Sequence, residues 1–72
     1  MKTLYPNIEA ERMRLNLTQK ELSDRLGVER KTYYSWLLNG RIPISALIKM
    51  GELFNCSIDY LVGRTRNPKF VE

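Results

Sequence analysis

Seventy-two residues, with twelve Lys and Arg against eight Asp and Glu, make one small domain of net charge +4; a chain this short buries only about 60% of its unfolded surface, which argues against a deep catalytic cleft beside a core. A single Cys and no His leave no internal disulfide, no zinc cluster and no imidazole base, and no Ser or Cys stands in a nucleophile context, so the chain reads as a non-enzyme with no cofactor, no metal and no small-molecule substrate. No apolar run approaches a membrane span and Met1 to Asn7 lacks an apolar signal region, which predicts a cytoplasmic protein with no membrane partner, stabilised by helix packing or dimerisation.

The first predicted helix runs from about Asn7 to Leu15, carries Ile8, Ala10 and Leu15 among charges, and stops at Asn16, a residue that tolerates the left-handed conformation. The second opens at Thr18, an N-cap whose hydroxyl can accept from an orphan N–H, and Glu21 three residues on completes a capping box. Leu22 and Leu26 form its buried stripe and Gly27 ends it, because a residue without Cβ takes a positive φ cheaply. A third helix runs from near Glu29 to about Asn39, before Gly40. The fourth starts near Pro43 and carries Ile44, Leu47, Ile48, Met50, Leu53 and Phe54, apolar on more than one stripe, which predicts the central core helix. The fifth is brief: Ser57 caps it, Asp59 lies in its first turn, Ile58 and Leu61 point inward and Gly63 ends it. The domain is therefore expected over 1–63, with 64–72 a basic tail whose Arg64, Arg66 and Lys69 are solvated.

With Gln19 counted first, apolar residues fall fourth (Leu22), eighth (Leu26), tenth (Val28), fifteenth (Tyr33) and eighteenth (Trp36), with small Ser23 fifth and Gly27 ninth. Two helices crossing steeply over a short turn need this pattern: a small residue where backbones approach, a glycine in the turn, and apolar residues inward on both sides. The spacing predicts a helix-turn-helix over about Thr18 to Asn39.

Asn7-Ile8-x-Ala10-x-Arg12, Leu17-Thr18-Gln19-x-Glu21-Leu22-x-x-x-Leu26-Gly27-Val28, Thr32, Trp36, Asn39-Gly40 and Phe54-Asn55-x-Ser57-Ile58-Asp59-Tyr60-Leu61 together resemble the Cro/cI-type helix-turn-helix family of phage repressors and xenobiotic-response-element-like bacterial regulators. The resemblance covers roughly 7–63 and implies an all-α, lambda-repressor-like fold of five short helices. It further implies that the third helix lies in a DNA major groove while Gln19, at the start of the second, holds a phosphate. Helix N-termini and amide donors are natural phosphate ligands.

With Val28, Tyr33, Trp36 and Leu37 directed to the core, Glu29, Arg30, Lys31, Tyr34 and Ser35 become the candidates for base reading. Arg30 and Lys31 match base-contacting positions of the family, and arginine pairs bidentately with guanine O6 and N7. Glu29 is either an acceptor for a cytosine amino group or simply an acid on a helix start, and Tyr34 suits a thymine methyl or a sugar. Thr18, Gln19, Lys20 and Arg41 are the phosphate candidates, adding affinity without specificity.

The chain departs from the family pattern at Tyr33, bulkier than the usual Ile or Val and bearing a hydroxyl that needs a partner, and at Leu37-Leu38-Asn39, one residue longer than usual and without the usual Glu. That Glu normally pairs with the arginine matched by Arg12, so another acid or a phosphate must take its place. Cys56 reads as core packing, and Leu38, Tyr60 and Val62 as core or as an apolar patch for a partner. The expected function is a sequence-specific transcription regulator, most simply a Cro-like phage or prophage repressor that binds a double-stranded operator as a homodimer. The alternative is a protein-interaction module, an antitoxin or adaptor, on the same fold.

Overall fold

In a computed structural model, which describes residues 3–69, the chain forms α1 (Pro6–Arg14), α2 (Gln19–Leu26), α3 (Arg30–Asn39), α4 (Ile44–Phe54) and α5 (Ile58–Leu61), with no strand among those residues. The expected all-α, five-helix fold is the one that forms. Residues 70–72 of the expected tail, with Met1 and Lys2, lie outside the described residues.

Helix ends follow the local chemistry. Thr18 Oγ1 accepts from the Glu21 N–H at 3.0 Å while the Glu21 carboxylate accepts from the Thr18 N–H at 2.8 Å, a complete capping box. Gly27 closes α2 at φ 75°, where the N–H of Val28 reaches back to the Ser23 carbonyl at 3.0 Å. Asn16 and Asn55 adopt φ 57° and 55° and end the flanking turns. Ser57 Oγ accepts from Tyr60 N–H at 3.1 Å and starts α5. At α3 the N-cap is Glu29, which makes no side-chain cap bond, and the helix begins at Arg30.

Ile8 of α1, Leu22 and Leu26 of α2, Tyr33, Trp36 and Leu37 of α3, Met50 and Phe54 of α4 and Leu61 of α5 meet in one core. Expectations change on three helices. α4 is amphipathic and flanks that core: Ala46, Met50 and Phe54, four residues apart, form the inward stripe, while Ile44 and Ile48 on the other side are 64% and 48% exposed. On α1, Ala10 is exposed and Glu9 and Glu11 are buried, so part of the inner face of that helix is ionic. Ile58 is half-buried, leaving Leu61 as the fully enclosed side chain of α5.

Both flanks of the chain are tied to helix ends. Leu4 N–H donates to the Leu37 carbonyl at 2.9 Å and Tyr5 Oη to that of Gly40 at 2.9 Å, which satisfies carbonyls that the end of α3 leaves unpaired. After Gly63 the chain folds back until Pro68 accepts from the Ser57 N–H at 2.9 Å. No helix among the described residues is long and apolar enough to cross a membrane.

Gly27 has nothing within 4 Å of a Cβ built on it, so alanine there would suffer only from the positive φ. Gly27→Ala is expected to lower the unfolding free energy by about 1–2 kcal/mol, and Gly27→Asn by less, in urea titrations followed by circular dichroism.

Candidate nucleic-acid interface

The core sorts α3 into two sides. Tyr33, Trp36 and Leu37 are buried in the core, and Val28 is half-buried in the turn, as the spacing required. Arg30, Lys31, Tyr34 and Ser35 are thereby left exposed on the opposite side, and Leu38 and Asn39 continue that exposed side toward Gly40.

Around this side the phosphate candidates fall at both ends. Lys20 of α2 lines one shallow depression with Asp24, Val28, Glu29, Arg30 and Lys31. Arg41 lines a second with Lys31, Ser35, Trp36 and Asn39, where Asn39 Oδ1 accepts from the Arg41 N–H at 2.8 Å and Asn39 Nδ2 donates to Ser35 Oγ at 3.0 Å. Gln19 and Arg30 bridge the two helix starts, Arg30 Nη1 donating to Gln19 Oε1 at 3.4 Å. Thr18 Oγ1 is committed as an acceptor to its cap, which leaves its hydroxyl proton for donation outward.

Acids temper the positive charge here. Lys20 Nζ lies 3.0 Å from Asp24 Oδ1, and Lys31 Nζ 3.6 Å from Glu29 Oε2. Both pairs are largely exposed, so each is weak and screened by salt, and a phosphate oxygen can replace the carboxylate at little cost.

Behind the exposed side sits a group that the sequence reading did not single out. The Glu9 carboxylate, in a residue only 6% exposed, accepts from Arg12 Nε at 2.6 Å and Nη2 at 3.2 Å, from Gln19 Nε2 at 3.0 Å and from Tyr33 Oη at 2.8 Å. Arg12 also donates to the Leu17 carbonyl, ahead of α2. Two open questions thus close together: another acid replaces the missing Glu as the partner of Arg12, and the Tyr33 hydroxyl has its acceptor. The signal available in the sequence was the i, i+3 spacing of Glu9 and Arg12 on one helix.

Burial works to raise the Glu9 pKa, but hydrogen bonds from Arg12, Tyr33 and Gln19 and the Arg12 charge together hold it below the ordinary value. Tyr33 moves the other way: burial and the adjacent carboxylate push its phenol far above the ordinary range, so it stays a neutral donor. Glu11 repeats the theme at the far end of α1, accepting from Arg14 Nε at 2.7 Å and Tyr60 Oη at 3.3 Å. Of the residues weighed as a docking patch, Leu38 is half exposed, whereas Tyr60 and Val62 are partly buried. Cys56 is buried, its thiol raised by desolvation and donating to the Phe54 carbonyl at 3.3 Å, a packing role.

Comparison with known proteins gives the chain relatives. A helix-turn-helix family model matches residues 8–61. An uncharacterised HTH-type transcriptional regulator, YqaE, of Bacillus subtilis is 33% identical over 64 residues, which are 88% of this chain and 55% of that protein, so the chain spans about half the relative's length. No solved structure gives a significant match.

Because the Glu9 pKa is depressed in the folded state, its stabilisation is complete above the ordinary value of 4.5 and is lost as pH falls through the folded value. Glu9→Gln is expected to cost about 1–3 kcal/mol at neutral pH, by leaving buried donors imperfectly paired. The gap between wild type and variant should narrow below pH 4.5 in urea titrations run across that range.

Proposed function

The chain belongs to the Cro/cI-type helix-turn-helix family, and we propose that it is a sequence-specific DNA-binding transcription regulator, a repressor that seats α3 in the major groove of its operator. The observation that carries this reading is the division of α3: three side chains locked into the core, and Arg30, Lys31, Tyr34 and Ser35 exposed together between two sets of phosphate-binding candidates. The transcriptional regulator YqaE, similar over most of this chain, supports the same assignment.

In this reading Arg30 donates to a guanine edge, Lys31 to a neighbouring acceptor, Tyr34 packs on a thymine methyl or sugar, and Ser35 completes the reading face. Glu29 either takes a cytosine amino proton or continues to pair with Lys31. Thr18, Gln19 and Lys20 hold backbone phosphates on one flank and Arg41 on the other, fixing register without reading sequence. A single module of this kind covers only about 600–1,000 Å² of protein surface, so two copies on a pseudo-palindrome, about one helical turn apart, supply the specificity. Such a regulator acts in the cytoplasm and needs neither cofactor nor small-molecule substrate.

Electrophoretic mobility titrations against selected DNA at two salt concentrations provide the test. Wild type should bind with a steep salt slope and clear sequence preference; the Arg30→Ala, Lys31→Ala double variant should keep salt-dependent binding and lose the preference. Lys20→Ala should weaken binding uniformly across sequences and reduce the salt slope by about one. Wild-type affinity no better than the non-specific level of about 10⁻⁴–10⁻⁶ M would instead assign the exposed side of α3 to a protein partner.

A further inference from the structure

The Glu9 carboxylate reaches the exposed side of α3 through Gln19, and that contact decides how the Gln19 amide lies. An ionised carboxylate only accepts hydrogen bonds, so the Gln19 group facing it at 3.0 Å must be the amide nitrogen. The carbonyl oxygen then points away from the core, where it accepts from Arg30 Nη1 at 3.4 Å. If the amide were turned over, its oxygen would meet the carboxylate and its N–H groups would meet the guanidinium, two repulsive contacts in place of two attractive ones.

We propose that Glu9 is a positioning residue for base recognition, acting through Gln19 to hold the Arg30 guanidinium in one place on the reading face; the inference rests on the DNA-binding function proposed above. The link uses one of the five N–H groups of Arg30 and engages a neutral carbonyl, so the guanidinium keeps its full charge and its fork for a base or phosphate. Glu9 is itself held by Arg12 and Tyr33, so the chain of contacts is anchored in the core and ends at a groove-facing side chain. Prepaying the placement of a long side chain in this way sharpens discrimination between bases, because less ordering is left for the encounter with DNA.

The test is a double-mutant cycle on base discrimination. Wild type, Glu9→Gln, Gln19→Ala and the double variant are titrated against the selected operator and against operators carrying each single base change. At the base pair whose preference depends on Arg30, Glu9→Gln is expected to reduce discrimination about tenfold, within the range one arginine–guanine pair supplies. The double variant is expected to lose no more than the weaker-discriminating single variant, since both act on the same link. A purely structural role would leave the discrimination ratio intact while lowering the melting temperature, and that result, or effects that simply multiply, would overturn the inference. Wild type lacking any sequence preference would overturn the DNA reading and this inference with it, which separates the two failures. If Glu9→Gln does not fold, the Gln19 side-chain amide signals of wild type in an acid titration carry the test. Signals that follow protonation of Glu9 support the link, and signals indifferent to it overturn the link.

Discussion

A carboxylate enclosed by three helices is the constraint on which the arrangement of this small protein turns. Burying a charge is expensive unless hydrogen bonds and an opposite charge compensate it, and Glu9 receives both: a two-pronged contact from Arg12, a phenol from Tyr33 of α3 and an amide from Gln19 of α2. The hydrophobic effect that packs α2 and α3 against α1 has no direction of its own. Hydrogen bonds have direction, so each donor must return to the same oxygen in every folded molecule. The three helices are thereby held in one relation, and among the described residues no buried side-chain nitrogen or oxygen is left without a partner.

The same network explains how the protein absorbs its departures from the family pattern. A tyrosine at the fifteenth motif position brings a hydroxyl into the core, and the third helix offers Arg12 no acid. Glu9 answers both at once, lying three residues before Arg12 and directly under Tyr33. The longer run from Trp36 to Gly40 is accommodated at the other end, where Leu4 and Tyr5 bond the Leu37 and Gly40 carbonyls. Arg41 consequently leaves α3 from a fixed turn, its own N–H held by Asn39.

Surface charge follows a different logic from the core. Lys20 with Asp24 and Lys31 with Glu29 are exposed pairs of low energy, which keeps the net charge at +4 while leaving the ammonium groups exchangeable. In the proposed DNA-binding function a polyanion takes the place of those carboxylates by mass action and counterion release, whereas the enclosed Glu9–Arg12 pair is shielded from that competition.

Much of this was legible in the sequence, because it depends on neighbours along the chain. The capping box at Thr18, the positive φ of Gly27, the serine cap of α5 and the burial of Leu22, Leu26, Tyr33 and Trp36 all follow from short-range stereochemistry and from the 3.6-residue period. The outward side of α3 follows from the same period by subtraction. Tertiary structure alone decided the rest. Which flank of α4 met the core, leaving Ile44 and Ile48 exposed, could not be read from a helix that is apolar on several sides. The convergence of Glu9, Arg12, Gln19 and Tyr33 spans 24 residues between its ends. It became visible only with α1, α2 and α3 packed, because the cost of enclosing a carboxylate is met by donors that no local pattern brings together.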